Sequence, residues 1–108
     1  MLAIHSDSLF VVGVAARAAE RSVGSRRLDP DLARQLRRAA TSVPLNLSEG
    51  FSLEGGNRSL RYLTALGSAR ELRACFEVAF AMGYVEPLAF DDADRLDKVI
   101  ATLVKLCR

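Results

Sequence analysis

The chain has 108 residues, half of them hydrophobic, and a formal net charge of +2 at pH 7. That length allows one domain, and the apolar share with so small a charge excludes a disordered chain. Ala and Leu supply 16 residues each, while Val at nine is the only frequent β-branched residue, which excludes an all-β domain in favour of helices.

Four helical segments are predicted. The first runs from about Ser8 to Arg21, with Ser6 or Asp7 as N-cap and Gly24 at the position just past its end. Its apolar residues point to nearly every side, so one face is expected against its own bundle and another against something else. His5, the single histidine, precedes it and is expected in a frayed start. Asp29-Pro30 opens the second segment, Asp29 as N-cap and Pro30 at N1, where a missing N–H costs nothing. Leu32, Leu36, Ala39, Ala40 and Val43 mark its inner face. Pro44 then arrives inside the pattern, and a kink is expected there. Thr41, Ser42 and Asn46 are placed to satisfy the freed backbone groups. The helix should resume over 45–49 and stop by Gly55-Gly56.

Asn57 is expected to cap the third and longest segment, with Leu60, Leu63, Leu66, Leu72, Phe76 and Ala79 on its core face and Gly83 closing it. The fourth begins between Pro87 and Asp91 and buries Ala93, Leu96, Ile100, Leu103 and Cys107. Asp91, Asp92 and Asp94 crowd its first turn and Lys105 its last, which complements the helix dipole. Short loops between four helices predict a single domain over 1–108, an antiparallel up-down-up-down four-helix bundle of the all-α class.

Catalytic and metal templates find little here. There is no Glu-x-x-His pair for a di-iron bundle, no P-loop and no EF-hand spacing. Cys75 and Cys107 sit in helical patterns as small hydrophobes rather than as a CxxC pair. An enzyme is not expected, and neither is a cofactor. No apolar run reaches the roughly 18–20 residues that span a bilayer, and no signal peptide precedes the first helix, so a cytoplasmic protein is expected.

Two constellations remain. Ser42, Asn46 and Glu49 share one side of the second helix, and Thr64, Ser68 and Glu71 share one side of the third, which predicts a polar network between the two helices. A small-ligand site on the same residues is the alternative. The second constellation is basic. The 13 Arg outnumber the two Lys, residues 17–38 hold seven Arg against three acids, and residues 74–108 hold six acids against four basic residues. Arg34, Arg37 and Arg38 line the outside of the second helix, and Arg58, Arg61, Arg70 and Arg73 decorate the third. They are candidates for contacts to phosphates, with a solvated face or pairing with the acidic fourth helix of another copy as the alternatives.

The run Gln35-Leu36-Arg37-Arg38-Ala39-Ala40, then Ser42-Val43-Pro44, Asn46 and Glu49-Gly50, is joined by a later Leu66-Gly67-Ser68-Ala69-Arg70-Glu71-Leu72 and a closing Ala81-Met82-Gly83-Tyr84. Together these resemble the four-helix-bundle family of proteins encoded in intervening sequences of bacterial 23S rRNA genes. The likeness covers roughly residues 9–107. It implies a ring-like homopentamer of up-down bundles. The chain is also similar to the accessory variability determinant of diversity-generating retroelements, which implies binding to nucleic acid and to a reverse transcriptase. No catalytic residue is implied. Pro44, Asn46, Glu49, Gly50, Ser68 and Glu71 match the pattern as fold determinants. The function expected is a non-enzymatic homo-oligomer that binds RNA or DNA backbone, with a protein-interaction scaffold or adaptor as the alternative.

Overall fold

The computed structural model describes residues 2–20, 22–23, 26–53 and 55–108. Four helices carry nearly all of them: α1 (Leu2–Glu20), α2 (Pro30–Ser52), α3 (Gly55–Ala81) and α4 (Phe90–Leu106). A two-residue ribbon of β1 (Ser22–Val23) and β2 (Arg26–Arg27), paired antiparallel, joins α1 to α2. α1 and α3 each pack against both α2 and α4, so the helices close a ring around one core, with α2 and α3 in the most extensive contact. The 27 residues of α3, at about 1.5 Å each, supply about 40 Å of the 49 Å long axis.

Helix α1 starts six residues earlier than the caps at Ser6 and Asp7 predict. Burial explains this. Ile4 enters the core at 4% exposure, the buried Ser8 hydroxyl donates to the His5 carbonyl at 2.8 Å, and Asp7 reaches Arg95 of α4 at 3.6 Å. His5 is therefore helical rather than frayed. Its ring meets Phe51 edge-on at 6.4 Å, and Phe51 meets Tyr62 at 6.2 Å, so α1, α2 and α3 share an aromatic chain. α1 is described as far as Glu20 and Val23 belongs to the ribbon; the predicted end at Arg21 and the Gly24 that follows it lie outside the described residues. Most of its apolar side chains (Val11, Val14, Ala15, Ala18, Ala19) serve the chain's own core. The second face reduces to Leu9 and Phe10, and the Arg95 guanidinium covers the Phe10 ring at 4.0 Å.

Helix α2 begins as its sequence dictates. The Asp29 carboxylate accepts from the Asp31 N–H at 3.2 Å, and Pro30 takes N1. The helix runs on through Pro44, which is buried, and the Thr41 hydroxyl and the Asn46 amide bond carbonyls of the surrounding turns. At its end the Arg58 Nε donates to the carbonyls of Gly50 (3.1 Å) and Leu53 (2.6 Å), adding to the Leu53 N–H that reaches the Gly50 carbonyl at 3.3 Å. Gly50 is required there by proximity: a Cβ would lie 2.5 Å from the Tyr62 ring.

Helix α3 overturns two expectations. It starts at Gly55, so Asn57 lies inside its first turn rather than at its cap. Leu60 and Leu63, expected in the core, are 59% and 57% exposed. The inner face is instead Tyr62, Ala65, Leu66, Ala69, Leu72, Cys75, Phe76 and Ala79. Ala65 and Ala69 of α3 and Ala39 and Ala40 of α2 are all buried, and short side chains let packed helix backbones approach. The C-terminus closes as predicted on Gly83, at φ 79°, with its N–H donating to Phe80 and the Tyr84 N–H donating to Ala79, both at 2.9 Å.

Helix α4 buries Leu96, Val99, Ile100 and Leu103, while Ala93 and Cys107 are half-buried. Both cysteines are free. Among the described residues no helix is long and apolar enough to cross a membrane.

Candidate nucleic-acid interface

The seven arginines singled out by the sequence divide by what they bond. Arg58 caps the end of α2, Arg61 donates to the Asn46 side-chain oxygen at 3.4 Å, and Arg73 is paired with Asp97 of α4. These three are held by the chain itself. Arg34, Arg37, Arg38 and Arg70 are exposed, as Arg58 and Arg61 also are, but among the described residues they bond no other helix. Arg34 makes one ion pair, with Asp31 at 3.1 Å, between side chains 66% and 76% exposed. A pair so open to water contributes little and exchanges readily for a phosphate. Arg37, Arg38 and Arg70 have no ion pair with a described residue. Helical spacing sets Arg34 and Arg38 one turn apart on the outer side of α2, with Arg37 beside them.

The polar residues expected between α2 and α3 come together in part. The hydroxyls of Ser42 and Ser68 lie 2.7 Å apart across the two helices. The Asn46 amide donates to the Ser42 hydroxyl (3.0 Å) and to the Ser42 carbonyl (2.8 Å). Arg61, read from the sequence as a surface cation, completes this cluster. Thr64 turns back on its own helix and donates to the Leu60 carbonyl at 2.9 Å. Glu49 and Glu71 are exposed and stand outside the network. Both carboxylates are solvated rather than drawn into the serine–asparagine cluster.

Above the serine pair the seam opens into a groove of about 460 Å³, lined by Gln35, Arg38, Ala39 and Ser42 of α2 and by Ser68 and Glu71 of α3. It carries a cation on one wall and a carboxylate on the other. Gln35 was legible only as a polar residue among the arginines; its place on this wall follows from the packing of α2 on α3.

Cys75 lies one turn beyond Glu71 and is buried. Burial pushes its thiol above the ordinary value, and the negative charge of Glu71 pushes the same way. It is the opposite of the electropositive setting that activates a thiolate. Among the described residues no group of three or more His, Cys, Asp or Glu is placed to hold a metal ion.

A second surface escaped the sequence reading. Leu60, Leu63, Gly67, Ala74 and Val78 are all exposed and share the outer side of α3. The signal was present, since Leu60, Gly67 and Ala74 repeat at seven, but Leu60 and Leu63 had been assigned inward.

The family model described as 23S rRNA-intervening sequence protein matches residues 17–105. No curated protein matches the chain.

Proposed function

The chain belongs to the 23S rRNA-intervening sequence protein family, and from that premise and its exposed arginines we propose that it is a non-enzymatic, cytoplasmic homo-oligomer that binds nucleic acid through the phosphate backbone. The observation that carries this reading is the placement of Arg34, Arg37 and Arg38 on the exposed side of α2, with a single solvent-exposed ion pair among them. Arg70 joins them as an exposed cation on α3, whereas Arg58, Arg61 and Arg73 act on the protein's own groups. Guanidinium groups bind phosphate bidentately and position a backbone without reading its sequence.

The arrangement that presents this face is one domain over 1–108, an antiparallel up-down-up-down bundle with α2 kinked at Pro44. Cross-helix bonds support the antiparallel order of α2 and α3: 42 meets 68, 46 meets 61 and 50 meets 58, so numbers rise on one helix as they fall on the other. The kink is supported by the N–H that Pro44 lacks, which leaves the Ala40 carbonyl without its helical donor. Self-association is supported by the apolar outer side of α3, and the family resemblance suggests five copies. That apolar side equally favours a second reading, in which the assembly is a scaffold or adaptor for another protein such as a reverse transcriptase.

Binding to a labelled DNA duplex, measured at two salt concentrations, tests the first reading. The logarithm of affinity falls with the logarithm of salt by about 0.9 per phosphate neutralised. Arg34→Ala, Arg37→Ala and Arg38→Ala together weaken binding to every sequence alike and flatten that slope by up to about 3. Absence of binding at low salt leaves the scaffold reading. Sedimentation of the same samples reports the number of copies.

A further inference from the structure

We propose that the groove between α2 and α3 is a ribose-phosphate subsite, which makes the protein prefer RNA to DNA of the same sequence. The inference rests on the nucleic-acid reading above and adds the class of strand.

It starts from a count of hydrogens. A serine or threonine inside a helix can donate to a carbonyl in the preceding turn. Thr41, Ser52, Thr64 and Ser8 all do so here. Ser42 and Ser68 do not; each turns its hydroxyl to the other at 2.7 Å. The pair has two hydroxyl hydrogens and only one bond between its oxygens. Asn46 approaches Ser42 as a donor, so it takes up a lone pair and no hydrogen. Whichever serine donates, the other keeps an O–H that no described residue accepts and that faces the open groove. Both serines are half-buried and line the groove. The seam thus holds a spare donor where an alanine would leave none.

The walls supply the complementary groups. Arg38 and Glu71 line the same groove yet form no ion pair, although Arg34, Arg73 and Lys98 each pair with a nearby aspartate. A ligand that satisfies this set carries an anionic oxygen for Arg38. Close to it, the ligand needs a group that both donates, to Glu71, and accepts, from the spare serine hydrogen. A phosphodiester beside a ribose 2′-hydroxyl is such a ligand, because the 2′-hydroxyl is donor and acceptor at once. Deoxyribose leaves the carboxylate and the serine without partners. The volume of about 460 Å³ suits a sugar-phosphate unit, and an open groove admits a continuous strand.

The test is fluorescence anisotropy of the full chain with three duplexes of one sequence: RNA, DNA and 2′-fluoro RNA, which keeps the RNA helix form and lacks the hydroxyl hydrogen. RNA is expected to bind about tenfold tighter than either of the others, the scale of one hydrogen bond to a charged group. Glu71→Ala and Ser68→Ala are each expected to draw the RNA and 2′-fluoro affinities together, with helix content checked by circular dichroism. Equal affinity for RNA and 2′-fluoro RNA in the unaltered protein overturns the subsite and leaves backbone binding standing. An RNA preference that survives Glu71→Ala in a folded variant also overturns it. Failure of all three duplexes to bind at low salt overturns the nucleic-acid reading, and the subsite with it.

Discussion

The outer sides of α2 and α3 lie next to one another and differ in how much apolar surface they carry. α2 turns Arg34, Arg37, Arg38, Thr41, Ser48 and Glu49 to water, with Leu45 the single large apolar residue among them. α3 exposes Leu60, Leu63, Gly67, Ala74 and Val78, with Thr64 and Glu71 set among them and Arg70 beside them. The first helix has one apolar stripe and its bundle covers it; the second has two, and its bundle covers only one. The difference separates two tasks. α2 is finished as a surface and offers charge, while α3 keeps apolar area that a second molecule would remove from water.

The contrast between the two sides of α3 is the easiest to break. Leu72 is fully buried and Leu63 is 57% exposed. Leu72→Ala is expected to cost about 2–5 kcal/mol through lost transfer energy and the cavity left behind. Leu63→Ala is expected to change stability by less than about 0.5 kcal/mol. Urea unfolding at low protein concentration measures both, and equal losses would place Leu63 in the core after all.

A smaller effect sharpens how closely the helices meet. Gly50→Ala gains about 1 kcal/mol of helix propensity. It also drives a methyl into the Tyr62 ring, which is 4% exposed and has little room to retreat. Overpacking costs about 1–3 kcal/mol, so a net loss near 1 kcal/mol is expected in the same unfolding assay. A stabilised variant would mean that the ring moves freely and that the α2–α3 contact is looser than described.

The smallest effect concerns Cys75 on the inner side of α3. Its thiol is pushed above the ordinary value of 9.0 by burial and by Glu71. The unfolded chain therefore ionises first as pH rises, binds fewer protons than the native state, and is favoured. The stability this group contributes is whole below pH 9.0 and declines above it. Cys75→Ala is expected to flatten that alkaline decline, read as urea midpoints across the range. An unchanged slope would show that the thiol is not shielded.

Much of the fold was legible because local signals agreed with tertiary ones. Asp29-Pro30 and Gly83 dictate helix ends through groups within a few residues, so their positions were readable and they stand where expected. The inner faces of α2 and α4 were readable because each has a single apolar stripe. The meeting of Ser42 with Ser68 was readable from matching polar positions on neighbouring helices. The site was legible less completely. All seven arginines look alike in sequence, yet three are bonded to the chain's own carbonyl, amide and carboxylate groups.

Sequence alone determined that this chain is helical, how many helices it forms and where most of them end, since helix propensity, capping and proline chemistry act over a few residues. Tertiary structure decided which side of α3 faces inward, how far α1 extends towards its start, and which arginines remain available. Those outcomes depend on volumes and partners brought together from distant positions. Where a helix is apolar on two sides, only the packing of its neighbours chooses between them.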